Sequence, residues 1–181
     1  MKIKIKVVGI APLLHDRFPE EDFVDKIKRS KRVKDMTPQE QAERALFVES
    51  NKPFIPTNKF WGSMLKVASR FKLSGKLSYY EVIKGGVFIN EEKSFLPDKE
   101  AKWDIYSRSG VNKNAGKGVR IMIHSPKFDK WSAEFTLESI DDRAEPIILR
   151  QILEAAGLYA GIGGWHPRFG RFEVVKFEEV K

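Results

Sequence analysis

The sequence predicts an α+β fold with a βαββαβ core carrying insertions, and three observations predict it. Residues Lys2 to Gly9 alternate Ile3, Ile5 and Val7 with Lys2, Lys4 and Lys6, the period of two that marks a strand with one buried and one wet face. Two segments, Thr57 to about Lys72 and Pro146 to about Tyr159, repeat apolar residues at helical spacing. A last alternating run, Arg171 to Phe177, closes the pattern with another strand.

Taken in order, the first strand ends at Gly9 to Pro12, and the stretch Asp16 to Lys34 is highly charged, with the basic block KIKRSKR at 26–32. Phe18, Phe23, Val24, Ile27 and Val33 give it only a thin apolar stripe, so a basic insertion is expected over about 16–52, starting with a long loop. Thr37-Pro38-Gln39-Glu40 combines an N-cap, a proline at the first helical position and an acid at the third, which starts a short helix running to Leu46. Leu46-Phe47-Val48 and Pro53 to Pro56 flank the polar turn Ser50-Asn51-Lys52, the pattern of a small hairpin. Thr57 or Asn58 caps the next helix, which buries Phe60, Trp61, Met64, Leu65, Ala68 and Phe71 and leaves Lys59, Lys66, Arg70 and Lys72 on its other face.

Short strands are expected at Tyr80–Ile83, Val87–Ile89, Phe95-Leu96 and Trp103–Tyr106. Residues 107–118, SRSGVNKNAGKG, have three glycines and no apolar period, and read as a flexible basic loop presenting Lys113 and Lys117. Val119–Ile123 and Trp131–Leu137 alternate and are expected to pair antiparallel. The last helix, about Pro146 to Tyr159, carries apolar Ile147, Ile148, Ile152, Leu153 and Ala156 before a glycine-rich turn. Reduced to its long elements, this is the ferredoxin-like or RRM-type order, expected as a single domain over 1–181.

Composition narrows the function. With 41% apolar and 32% charged residues the chain is globular, and no apolar run approaches the roughly 20 residues that cross a bilayer, so a soluble, cytoplasmic protein without a membrane partner is expected. The absence of cysteine excludes disulfides, thiolate zinc sites, iron–sulfur clusters and thiol nucleophiles. Three histidines, at 15, 124 and 166, are too scattered for a metal cage, so neither metal nor cofactor is expected. The net charge of +8 is unevenly spread, since residues 1–76 hold 17 Lys/Arg against 9 Asp/Glu while 77–181 hold 16 of each. A one-sided basic field points to a polyanionic partner.

The most informative segment runs from Gly157 to Val174, with five glycines in the fourteen residues 157–170. Glycines at 161, 163 and 164 let backbone amides approach a ligand closely, and Arg168 and Arg171 add charge beside them, as a phosphate chain requires. The competing reading is a helix C-cap followed by a tight turn. Because the bend lies between a helix end and a strand, it has the wrong context for a dinucleotide or Walker-type loop.

Pro53-Phe-Ile-Pro56 running into Thr57-Asn-Lys-Phe-Trp-Gly62-Ser-Met-Leu-Lys-Val-Ala-Ser-Arg70 resembles the I-P-x-S-x-L/F-K/R-G-x-L/M-R/K signature of the first helix of the RAMP superfamily, which includes the Cas7-type backbone subunits of CRISPR complexes. The stretch Gly161 to Val174 is similar to that superfamily's glycine-rich loop, in the same place between last helix and last strand. The pattern departs at Asn58 and Lys59, which stand where serines are common, and at Trp61. The resemblance implies an RRM-like fold, binding of single-stranded RNA along its backbone, and head-to-tail assembly on the strand, either as a ribonucleoprotein subunit or as a stand-alone, phage-encoded relative.

Single-strand binders join a basic groove to aromatic stacking faces. The candidate binding residues are therefore Lys59, Lys66, Arg70, Lys113, Lys117, Gly161, Gly163, Gly164, Trp165, Arg168 and Arg171, with Trp61 and Phe169 as further aromatic faces. Signals for catalysis are weak. His15, followed by Asp16, is the candidate general base if the chain is a RAMP-type endoribonuclease, although a solvated loop histidine is the simpler expectation. Asp16, Asp22 and Asp25 are nominal candidates for target cleavage by resemblance, while Asp141-Asp142 and His124 read as turn residues. The expected function is noncatalytic binding of single-stranded RNA or DNA with multimerisation along the strand. The alternatives are the His15 endoribonuclease and a phage interaction protein that mimics a Cas7 subunit.

Overall fold

The computed structural model describes residues 1–18, 36–112 and 119–180. The basic block at 26–32, the nominal candidates Asp22 and Asp25, and the expected binding residues Lys113 and Lys117 lie outside the described residues. In chain order the strands and helices are β1 (Lys2–Gly9), β2 (Leu13–Leu14), α1 (Pro38–Ala45), β3 (Val48–Glu49), β4 (Lys52–Pro56), α2 (Asn58–Ala68), β5 (Lys72–Ser74), β6 (Leu77–Ser78), α3 (Tyr79–Gly86), β7 (Val87–Ile89), β8 (Lys93–Phe95), β9 (Asp104–Asn112), β10 (Val119–Phe128), β11 (Ser132–Ser139), α4 (Pro146–Ala155) and β12 (Phe172–Val180).

The lysine–apolar alternation of β1 makes it an inner strand of the main antiparallel sheet, ordered β12-β1-β11-β7. With α2 between β1 and β7 and α4 between β11 and β12, this is the ferredoxin-like βαββαβ fold, its sheet order being fourth, first, third and second strand. Ile3, Ile5 and Val7 point into the core, where Phe60 of α2 stacks on Phe135 of β11 with ring centroids 4.7 Å apart and meets Phe172 of β12 edge-on at 5.4 Å. Helix α4 covers the same face through Leu149, Ile152 and Leu153. The opposite face carries the lysines, but the register sets acids beside them: Lys6 pairs with Glu134 at 2.7 Å and Lys2 with Glu138 at 3.5 Å. The basic face expected of the first strand is thus largely neutralised by its neighbour.

Several local expectations hold. Thr37 caps α1 in a reciprocal box, its hydroxyl accepting from the Glu40 amide while the Glu40 carboxylate accepts from the Thr37 amide at 2.6 Å. Ser50 and Asn51 turn the β3–β4 hairpin with positive φ at both positions, the geometry that matches hairpin twist.

Others need correction. Tyr80–Ile83 belongs to a helix, α3, whose buried Tyr79, Val82, Ile83 and Gly86 recur at helical spacing that its aromatic and β-branched residues disguised. Residues 107–112 are not loop but the second half of β9, which ladders with β10 from Asp104↔Lys127 to Asn112↔Val119. One face of this strand, with Ser107, Ser109 and Val111, is exposed and the other, with Tyr106, Arg108 and Gly110, is only half-buried, so no apolar period marks it. The segments 119–123 and 131–137 therefore do not pair with each other: β10 joins β9 and β2, and β11 joins β1 and β7. Helix α2 stops at Ala68, and Lys72 sits in a strand.

Because Phe60 is fully buried between two rings of the main sheet, Phe60→Ala is expected to lower the unfolding free energy by about 3–5 kcal/mol in urea titration. Leu77→Ala, at an exposed position, is expected to change it by less than about 0.5 kcal/mol.

Candidate nucleic-acid interface

The bend that follows α4 is built by its glycines. The helix loosens into a π-type turn over Ala156–Ala160 and ends at Gly161, with φ of +65°. The chain then lies directly on β2: the Gly164 amide donates to the Leu14 carbonyl at 2.9 Å and the Gly170 amide to the Pro12 carbonyl at 2.8 Å. A Cβ at Gly163 would strike the Leu14 carbonyl, and one at Gly170 the Ile162 carbonyl, and both residues have φ near +70°.

This corrects the expectation that the bend presents free amides. Gly161 donates to Ala156, Ile162 to Gly170 and Phe169 to Trp165, in addition to the two bonds to β2. Gly161 and Gly163 are buried, and Gly164 is half-buried. The chain's own carbonyls fill the cradle because backbone donors this far inside a fold must be paired. What the bend offers a ligand is side chains, displayed from its tip.

Residues Trp165, His166 and Arg168 occupy that tip and are exposed. Helix α2 runs past it, anchored where the Ser63 hydroxyl donates to the Ala156 carbonyl at 3.3 Å. Its polar side and the turn after it make three contacts around the bend: with the residue that follows β2, with the tip of the bend, and with the turn before it. Lys59 pairs with Asp16 at 2.6 Å, beside Gly164. Lys66 Nζ lies 2.5 Å from His166 Nε2, and Arg70 lies over the Tyr159 ring at 5.6 Å. His166 Nδ1 is 2.6 Å from the Gly163 carbonyl, which can only accept, so Nδ1 carries the proton and Nε2 accepts from the Lys66 ammonium. The expected cations of α2 and of the bend therefore share one face.

Sequence reasoning missed the third contributor. Strand β9 brings Tyr106 and Arg108 to the bend: Tyr106 packs on Phe169 at 4.9 Å, and Phe169 stacks on Trp165 at 5.8 Å with the planes 28° apart. Arg108 and Arg168 lie over the Trp165 indole at 5.1 and 5.0 Å. Only an aromatic–basic pairing across the ribbon could have indicated this, and a segment read as loop conceals it. One other expectation changes. Trp61 does not join this face: its indole N–H donates to the Ile83 and Val87 carbonyls, tying α2 to α3 and β7, and its ring lines a separate cavity. Arg171 is exposed, while its carbonyl accepts from Ile10 and Ala11.

His15 is neither solvated nor placed as a base. It is 2% exposed, lies 4.5 Å from the Phe128 ring, and accepts from the Phe47 amide at Nδ1 over 3.1 Å. Its Nε2 is buried without a partner. Burial, with the Lys59 ammonium nearby, lowers its pKa from 6.5 to about 3. The Leu13-Leu14 pair before it was the available sign of burial. Asp16 is held by Lys59, His124 Nδ1 meets the Ser107 hydroxyl at 2.7 Å across the ribbon, and Asp141 binds Arg143 at 2.7 Å, which pulls its pKa down to about 2. Among the described residues no cluster of metal-ligating side chains occurs, and no helix is long and apolar enough to cross a membrane. A cavity of about 520 Å³ opens near the N-terminal end of α2 between Phe47, Phe54, Trp61 and Phe88 and is mainly apolar.

No protein-family model matches the chain, and no curated protein matches it in sequence. Solved structures share its fold. A chain of the type III-B Cmr-beta complex, determined by cryo-EM bound to cognate target RNA, superposes with a TM-score of 0.56 at 12% identity over 99% of this chain and 60% of that one. This chain thus spans less than two thirds of that relative. Crystalline Cmr6 from Pyrococcus furiosus superposes with a TM-score of 0.51 at 11% identity, covering 96% of this chain and 97% of that one.

The His15 environment sets a pH dependence. Its folded pKa lies below the unfolded value, so the stabilisation is complete above pH 6.5 and is lost as pH falls towards 3. Between pH 7 and 4.5 the wild-type protein is expected to lose about 2–3 kcal/mol more unfolding free energy than His15→Asn, whose amide oxygen keeps the acceptor for Phe47 without titrating. Equal losses in chemical denaturation at both pH values would contradict this.

Proposed function

We propose that this chain is a noncatalytic, sequence-tolerant binder of single-stranded nucleic acid, built as a single RAMP-like domain of the Cas7 kind, with RNA as the preferred ligand. One observation carries the reading: Lys59 and Lys66 of α2, Arg70 just after it, and Trp165, His166 and Arg168 of the bend lie along one shared face. At 1.5 Å of rise per residue Lys59 and Lys66 stand about 10 Å apart along α2, and Arg70 follows in the turn after the helix, a line suited to successive phosphates rather than to one anion. Lys66 and Arg70 are exposed and have no carboxylate partner among the described residues, so a phosphate chain meets charges that need not first leave an ion pair.

The fold shared with an RNA-bound complex favours RNA over DNA and supports assembly into a ribonucleoprotein or along the strand. Cleavage through His15 has lost its support, because the ring is buried and its free nitrogen faces no opening. The interaction-protein alternative uses the same basic face and differs in binding no strand.

The test is affinity for labelled single-stranded RNA and DNA across a salt series. Wild type is expected to weaken steeply with salt, and Lys66→Ala and Arg168→Ala each to lower affinity and reduce the log–log slope by about 1. Arg143→Ala, whose guanidinium is already held by Asp141, is the control expected to leave both unchanged. Absence of binding at low salt would leave only the interaction reading.

A further inference from the structure

We infer that the β9–β10 ribbon and the glycine bend together form a slot for one nucleobase of a bound single strand, with the Trp165 indole as its floor and the Arg108 guanidinium as its opposite wall. This rests on the nucleic-acid reading above and adds to it a base-holding site and two residues, Arg108 and Tyr106, that sequence reasoning did not assign.

Three independent features lead here. The first is backbone strain. Trp165 has φ of +54°, a region that costs a bulky residue of the order of 1–2 kcal/mol, yet the conformation leaves the indole 42% exposed instead of burying it. Folding stability is poorly served by such a choice, whereas a ligand that stacks on the ring is served well. The second is support from behind. Phe169, nearly buried, stacks under Trp165, and Tyr106 packs against Phe169, so the indole is a rigid surface rather than a free side chain.

The third is charge without a partner. Two guanidiniums, of Arg108 and Arg168, are drawn over one indole, and no carboxylate pairs with either among the described residues. Arg108 Nε is also sealed from solvent and has no hydrogen-bond acceptor. A buried donor without an acceptor is uncommon and costly, which marks the place of an acceptor still to arrive. A nucleotide supplies both missing parts: a flat π-system that fits between indole and guanidinium, and phosphate or base oxygens for Arg108 Nε–H and Arg168. Moving the Arg108 guanidinium, 5.1 Å from the Trp165 ring centroid, away from the indole makes the room. Such a slot grips any base through its face, consistent with a sequence-tolerant binder.

The experiment compares an intact single-stranded RNA with strands carrying one abasic residue at successive positions, at a salt concentration where the intact strand binds. Wild type is expected to lose about tenfold in affinity at one register position. Trp165→Ala and Arg108→Ala are expected to bind the intact strand about as weakly as wild type binds that abasic strand, and to lose little more when the base is removed. Arg108→Lys is expected to keep the salt slope without restoring the base-dependent part, because an ammonium cannot form the planar wall. Strand binding should also quench tryptophan fluorescence in wild type, and the quench should vanish in Trp165→Phe.

If abasic and intact strands bind wild type equally while the salt slope remains steep, the slot is wrong and the phosphate track stands. If the losses from Trp165→Ala and base removal simply add, Trp165 acts through structure and the slot is likewise overturned. If no strand binds at all, both readings end together. The abasic series on the wild-type protein needs no variant, so a poorly folding substitution cannot protect the proposal.

Discussion

The candidate interface depends on one close backbone contact, the glycine bend lying on β2. The amides of Gly164 and Gly170 bond to the carbonyls of Leu14 and Pro12, and the Cα atoms of Gly163 and Gly170 approach so closely that no side chain fits. That contact fixes where the tip of the bend emerges, and the tip carries Trp165, His166 and Arg168. It also draws Asp16, just after β2, towards Lys59 of α2. With α2 bonded through Ser63 to the turn before the bend, helix, bend and ribbon are held in one frame. The glycines serve the ligand face indirectly: they are consumed in building the platform, and the side chains between them are what it presents.

Charge is distributed by pairing more than by composition. Lys2 and Lys6 look like a basic surface when β1 is read alone, but Glu138 and Glu134 on the adjacent strand answer them. Around the bend the balance is reversed. Among the described residues Lys59 has Asp16, while Lys66 meets an imidazole nitrogen, Arg70 the Tyr159 ring, and Arg108 and Arg168 the Trp165 indole, none of them a carboxylate. Exposed ion pairs contribute little to stability, so the cations that matter for a polyanion are those whose neighbours are rings and not carboxylates.

Much of the fold could be read directly. The period-two run of β1, the capping box of α1, the hairpin turn at Ser50-Asn51 and the amphipathic character of α2 and α4 all arise from interactions within a few residues and recur in the structure, although in α4 Leu149 faces the core and Ile147 does not. The misreadings share a cause. Whether 80–83 is strand or helix depends on which side of it is buried, and whether 107–112 is loop or strand depends on a partner at 119–127. The false pairing of 119–123 with 131–137 came from taking neighbours in sequence as neighbours in the sheet, where a ribbon had been inserted between β7 and β11.

For the site, residue types and local spacing were enough to nominate the α2 cations and the tip of the bend, since basic side chains at helical intervals and a glycine-dense turn are local features. They could not tell that the bend's amides would be spent on β2, that His15 would be sealed between Phe47 and Phe128, or that Arg108 would reach Trp165. Each of those outcomes turns on which distant atoms come within a hydrogen bond or a ring contact. Such proximity is set by the joint packing of sheet, helices and ribbon, and no short stretch of sequence contains it.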